Sequence, residues 1–515
     1  MGKFEFDNVP VLKTTGGDLK GYYYKGEYIF KGVPYAKAKR FHQPEPAKWS
    51  GVKEATSYGM VCPLRGKDYP NGELYVPHRY WPQDEHCQNL NIWTKNLDES
   101  EKRPVLVWFH GGGYEAGSSI EQVAYDGFNL CMDKDVVVVT VNHRLNILGY
   151  LDLSPFGEEY KNSANAGNAD MVAALKWVHD NISLFGGNPE CVTIFGQSGG
   201  GMKVTDLMQT PSADGLFQRA MVMSGVAGGG LFKELEGDGT EIVNAMIKEL
   251  NLKSVKELEE IDYYDMARAY NKVSPALAAN GHYIGCVPVK NDFFLGNPLV
   301  HGFREEAFKI PLMVGSVFGE FFFAPMEVNK REVSKEEELE ILKKIYGDST
   351  EDILAEYKKA YPDKCGLDLM CIDRCMRQPS KELAKIHAAG GGKSFLYMFT
   401  FEFPINNGKI AWHCSDIPFL FRNTEYVEVC SVEGVTDKLE DQISSAFVSF
   451  AVNGDPNNLH LPKWESVSVD KEPTMIYDRN CEVRYNYDDA LYEKIDSVLP
   501  PFNLHEMIAT EDIQH

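Results

Sequence analysis

The chain has 515 residues, 43% of them hydrophobic and 12% aromatic, enough apolar material to bury a substantial core. A formal net charge of −23 argues against nucleic acid and anionic membrane surfaces as partners, since both select basic patches, and no apolar run is long enough to span a bilayer. Eleven cysteines, an odd number at low density, predict free thiols in a reducing compartment rather than a disulfide scaffold.

The opening residues, Met1 to Asp7, hold no apolar core of signal-peptide length, so a cytoplasmic location is expected. Tyr69, Tyr75, Tyr80 and Trp81 share a loop-like stretch that offers either an aromatic rim over an apolar pocket or a loop packed on its own aromatics. A strand over Pro104–Phe109 runs into His110-Gly111-Gly112-Gly113-Tyr114. Glycines after a buried strand leave backbone N–H groups free to face a substrate carbonyl oxygen, with His110 holding the loop by hydrogen bonds. His143, beside Arg144 after another strand, reads as a support. Apolar residues at helical spacing, Met171, Ala174, Leu175, Val178 and Ile182, predict a helix over residues 170–184 that packs on the sheet.

The strand Val192–Phe195 leads directly into Gly196-Gln197-Ser198-Gly199-Gly200, the pattern of a nucleophile elbow. Its serine must sit on a turn too sharp for neighbours that carry a β-carbon. Gly112, Gly113 and Gly199 are the expected oxyanion donors, and the helix opening at Gly199 adds its positive end. From about residue 231 to 392 the texture turns helical and charged, which predicts a helix-rich insertion over the active site. Three capping-box patterns mark it: Asp238 with Glu241, Ser254 with Glu257, and Ser334 with Glu337. Within it a short strand at Ile310–Gly315 is followed by Glu320, and a strand at Phe395–Phe401 is followed by a loop reaching His413. A serine hydroxyl needs a base and an acid that orients it, so Ser198, Glu320 and His413 are the expected catalytic residues, each at a strand's carboxyl edge. Asp416 is the rival acid, but it follows the histidine and reads as the cap of the segment at Ile417. Cys365, Cys371 and Cys375 lack zinc-ribbon spacing, and neither metal nor cofactor is expected.

These motifs resemble the type-B carboxylesterases, the cholinesterase-like branch of the α/β-hydrolase fold. Phe30-Lys31-Gly32-Val33-Pro34-Tyr35-Ala36, Glu85 to Trp93, Asn142-His143-Arg144-Leu145, Phe185 to Pro189, and Gly454-Asp455-Pro456-Asn457 with Trp464 are similar to that family's signatures, nearly end to end. The resemblance implies one α/β domain over residues 1–515, a mostly parallel sheet flanked by helices, and the same triad and oxyanion residues. It also implies that Ser224 is a hydrogen-bond partner near the acid. Cys62 and Cys87 match a pair that secreted members oxidise, and adjacent thiols are expected here. Two departures stand out: Gly199 replaces a common alanine, and Phe321 stands where the acid is usually followed by glycine.

The expected activity is cofactor-free hydrolysis of a small-molecule ester through an acyl-enzyme. The alternatives are an acyltransferase or amidase using the same triad, and a non-catalytic binding protein of this fold. Oligomeric state leaves no mark in the sequence.

Overall fold

Runs of β-branched and aromatic residues between turn-forming segments build the strands, and the computed structural model describes residues 3–68, 75–226 and 237–501. In chain order the main sheet takes β1 (Tyr22–Tyr24), β2 (Glu27–Pro34), β3 (Asn89–Thr94), β4 (Arg103–Phe109), β5 (Val137–Val141), β6 (Gly187–Gln197), β7 (Arg219–Met223), β8 (Leu312–Val317), β9 (Ser394–Phe399), β10 (Pro473–Tyr477) and β11 (Glu482–Tyr485). Across the sheet they lie in the order β11-β10-β9-β8-β7-β6-β4-β5-β3-β2-β1. The strands from β10 to β5 in that order pair in parallel. Antiparallel pairs finish both edges.

Period-two alternation splits each central strand between two cores. Leu106, Trp108, Phe195, Met221, Met313 and Phe395 enter one cluster. Val105, Val107, Phe109, Ile194, Val222 and Val314 enter the other, on the opposite face. Helices α1 (Ala166–Asn181), α2 (Gly199–Met208) and α3 (Arg377–Ala389) pack Leu175, Val204 and Leu383 into the second cluster. Helix α4 (Thr436–Asn453) packs Ile443 and Phe447 into the first. α1 starts before the Asp170 expected from the sequence, and that residue is buried on its face, where the carboxylate meets Arg144 Nη2 at 2.7 Å. The pair ties the helix to the chain leaving β5.

The helix-rich stretch expected at about 231–392 is divided by β8, a strand of the main sheet. Residues 227–236 lie outside the described residues. The helices at 240–249 and 263–279 form a separate cluster with Leu145 to Leu153, those at 335–346 and 350–360 cover one sheet face, and α3 covers the other. Of the three capping boxes, Ser334 with Glu337 forms in full. Asp238 instead accepts from Thr240 N at 2.9 Å in a local turn, and the Ser254 side chain makes no cap bond.

Candidate active site

Parallel register brings the functional turns to one edge. Phe109 lies opposite Gly196, Gln197 opposite Met223, Met223 opposite Gly315, and Val317 opposite Phe399, so the loops after β4, β6, β7, β8 and β9 leave the sheet together. After Gln197 the chain turns from strand to helix at a single residue, Ser198, whose φ of 57° and ψ of −128° are strained for a residue with a β-carbon. Its N–H donates to Met223 O at 2.8 Å, and its carbonyl accepts from Met202 N at 3.1 Å. The glycines on either side are required by space. A Cβ at Gly200 would stand 2.0 Å from Phe109 O, and one at Gly196 would stand 2.4 Å from the Gly200 carbonyl carbon. Ser198 is half-buried within an otherwise buried stretch, and so it is the accessible residue of the elbow.

Gly112 and Gly113 turn with φ of +81° and +62°, leaving both partly exposed beside the serine. Gly199 lies directly against Gly113: a Cβ there would stand 2.3 Å from Gly113 O and 2.4 Å from Gly113 N. The missing alanine methyl is therefore a packing requirement of this loop. Beneath it, Lys203 Nζ on α2 donates to His110 O at 2.9 Å, and the His110 and His143 rings stack 4.9 Å apart. Burial pushes both imidazoles well below their ordinary range, and they are neutral. Burial likewise brings the Lys203 amine down to about 7, Glu121 up to about 8 and Asp206 up to about 7. The Tyr114 hydroxyl donates to Asp206 at 2.8 Å.

Glu320 sits in the turn after β8 and His413 in the loop after β9, both buried. Gly319 N donates to Ala411 O at 2.9 Å and His413 N to Glu320 O at 2.5 Å, a pair of backbone bonds that sews the two segments together. Glu320 Oε1 accepts from Val317 N at 2.9 Å, and Oε2 lies 2.5 Å from His413 Nδ1. A carboxylate at Nδ1 fixes the proton there and leaves the lone pair on Nε2. That Nε2 is met by Gln197 Nε2 at 3.2 Å, and the Gln197 Oε1 accepts from Cys414 Sγ at 3.1 Å. Among the described residues no hydrogen bond joins Ser198 to the ring. Phe321 does not displace Glu320 from His413; its ring stacks on the imidazole, centroids 4.6 Å apart.

Other expected roles change. Asp416 precedes the helix at Ile417 without capping it, because its carboxylate turns to the Tyr397 hydroxyl at 2.9 Å, and burial raises it to about 7. The Ser224 hydroxyl is buried with no hydrogen-bond partner, so the expected bond near the acid is not formed. Of the aromatic rim, Tyr69 lies outside the described residues. Tyr75 meets Trp412 edge-on at 5.6 Å, whereas Tyr80 packs on His78 and Trp81 on Tyr58. Among the described residues no disulfide joins the cysteines, and burial with Cys62 alongside holds Cys87 well above the ordinary thiol range. Glu472, Asp488 and Asp489 bring carboxylates together, but Arg377 and Lys381 pair with them in a buried ionic network. Gln197, Lys203 and the Phe321 contact escaped the sequence reading. A lysine on a short helix beside Gly200, Gly201, Val204 and Leu207 was a usable signal for the second.

The sequence profile of the Carboxylesterase family matches residues 8–494. The chain belongs to this family. The para-nitrobenzyl esterase of Bacillus subtilis (strain 168) is 31% identical over 94% of this chain and 98% of its own length. The phenmedipham hydrolase of Pseudarthrobacter oxydans is 29% identical over 92% and 96%. Among solved structures, an esterase from Clostridium hathewayi described as hydrolysing aliphatic aromatic polyesters superposes with a TM-score of 0.95 at 54% identity, covering 97% of this chain and all of that one. The protein is a carboxylic ester hydrolase of the α/β-hydrolase fold. No helix among the described residues is long and apolar enough to cross a membrane.

Proposed function

We propose that this esterase works by two-step acyl transfer, with Ser198 as nucleophile, His413 as base, Glu320 as its orienting acid, and the N–H groups of Gly112, Gly113 and Gly199 as oxyanion donors. The observation that carries this reading is the Glu320–His413 pair, whose Nε2 lone pair is aimed at the elbow that holds Ser198 in a strained turn. When ester binds, the Ser198 hydroxyl takes the place of the Gln197 amide at Nε2, as catalytic hydrogen bonds often tighten only in the complex. Nε2 accepts the hydroxyl proton while Oγ bonds to the carbonyl carbon, and the carbonyl electron pair moves to the oxygen among the three N–H groups. Collapse expels the alcohol, which carries away the proton from Nε2. Water repeats the sequence, releasing the acid and restoring Ser198.

Half-exposed Phe321 beside the base, and Tyr75 against Trp412, favour esters with aromatic groups. The polyester activity described for the Clostridium hathewayi esterase supports an aliphatic–aromatic ester as the substrate class. The test is turnover of p-nitrophenyl esters by Ser198→Ala, which should vanish while thermal unfolding is retained. Undiminished turnover would place the nucleophile elsewhere. A series of benzoate and terephthalate esters against aliphatic ones tests the substrate class, and indifference to the aromatic group would remove it.

A further inference from the structure

Phe321, the residue that follows the proposed acid, touches the proposed base. Its ring lies over the imidazole of His413 with centroids 4.6 Å apart and planes 30° from parallel. Phe323 meets Phe321 edge-on at 6.3 Å and 78°, which holds the ring in place. The two backbone bonds between the 318–320 turn and the 411–413 segment fix their register and bring residue 321 beside His413. Both nitrogens of His413 are already engaged, Nδ1 by Glu320 and Nε2 by Gln197. The face is the remaining surface through which the ring can be influenced, and an aromatic covers it.

We propose that Phe321 is a positioning residue for the reaction, its π face stabilising the imidazolium that His413 becomes while it holds the Ser198 proton. The inference rests on the assignment of His413 as base. A glycine at this position would offer no such surface. The negative face of a benzene ring attracts a cation within about 6 Å of its centroid, more strongly where water is excluded, and it favours a neutral ring much less. The positive charge exists on His413 only between the two proton transfers. The attraction is therefore greater in the transition state than in the resting enzyme, which is the condition for raising kcat. Typical strengths of such contacts correspond to roughly 2- to 30-fold in the population of the charged ring.

Other groups facing the pair stay unchanged when Phe321 is replaced. They are Glu320 from the turn after β8, Gln197 from the end of β6, Cys414 and Asp416 from the histidine's own segment, and Asp373 and Cys375 from the segment before α3, which lie in the field of Glu320.

The experiment compares Phe321→Leu, which keeps apolar bulk without a π face, with Phe321→Tyr, which keeps the ring. Both are assayed with p-nitrophenyl acetate from pH 5 to 9. In the wild type kcat/KM falls on the acid side as the base is protonated. Phe321→Leu should lower plateau kcat by about 3- to 10-fold and move that acid limb down by about 0.3–1 pH unit, because removing the face disfavours the charged ring. Phe321→Tyr should restore both. An acid limb that stays in place in Phe321→Leu, or that moves equally far in Phe321→Tyr, overturns the proposal. Loss of the triad reading gives a different result: turnover in Ser198→Ala, or a wild-type profile without an acid limb.

Discussion

Gly199→Ala tests whether the oxyanion loop is set by the closeness of two backbones. The added Cβ would stand 2.3 Å from Gly113 O and 2.4 Å from Gly113 N, whereas ordinary contact begins at 3.4 Å, so Gly113 must retreat by about 1.1 Å. Both obstructing atoms are main chain, and the loop cannot yield by rotating a side chain. A donor that starts near 2.9 Å from the oxyanion and moves back by about 1 Å no longer makes a hydrogen bond. Loss of one oxyanion donor costs about 2.7–4 kcal/mol, or 10²–10³ in kcat. Gly199→Ala should therefore lose about 10²-fold in kcat toward a p-nitrophenyl ester while KM changes by less than about 3-fold, since the donors act on charge that exists only in the transition state. Steady-state kinetics beside thermal unfolding separates this from general destabilisation. A folded Gly199→Ala variant with kcat within twofold of wild type would refute the argument, because the loop would then not depend on that approach.

Asp488, held down to about 2 by Arg377 and Lys381 despite its burial, contributes stability that is complete above about pH 4 and lost as pH falls through about 2. Asp488→Asn should cost about 3–5 kcal/mol at neutral pH by taking from Arg377 and Lys381 a buried carboxylate that both share, and the gap in urea unfolding should narrow below pH 4; a gap independent of pH contradicts the pairing. Lys203 has its amine brought down to about 7 by burial, so the unfolded chain binds the extra proton and this group contributes stability that rises between about pH 7 and 10, against the opposite slope of the buried thiols. Lys203→Met should flatten that rise and lower kcat about 10-fold as His110 O loses its donor; an unchanged slope would exclude the buried amine as its source. Thiol titration in denaturant without reductant should find eleven groups, and nine would mean that Cys62 and Cys87 are joined.

The parts of the site that were readable from sequence are those where sterics demand a particular residue locally. Glycines at 112, 196 and 200 have no room for a β-carbon, and the elbow must follow a strand, so both loops announce themselves. The proposed acid and base were picked out because open parallel sheets gather chemistry at strand ends, and Glu320 and His413 stand just past two of them. Contacts across the edge were not readable. Whether Gln197 meets His413, and whether Phe321 lies over it, depends on the register between β6, β8 and β9, with residues 198–311 and 318–393 intervening. Local rules also failed where a tertiary partner competed. Asp416 forgoes its cap for the Tyr397 hydroxyl. The helix-rich stretch looked uniform because amphipathic periodicity reports that a face is buried and not which layer buries it.

The backbone at Ser198 sits in tension, held at φ 57° by hydrogen bonds before and after it. On the proposed mechanism, relaxing that residue to glycine would make the molecule sturdier and inert in the same stroke. Screens of this scaffold that reward heat resistance alone are thus drawn toward dead variants at its centre, and a thermostable line needs turnover as a second criterion in every round.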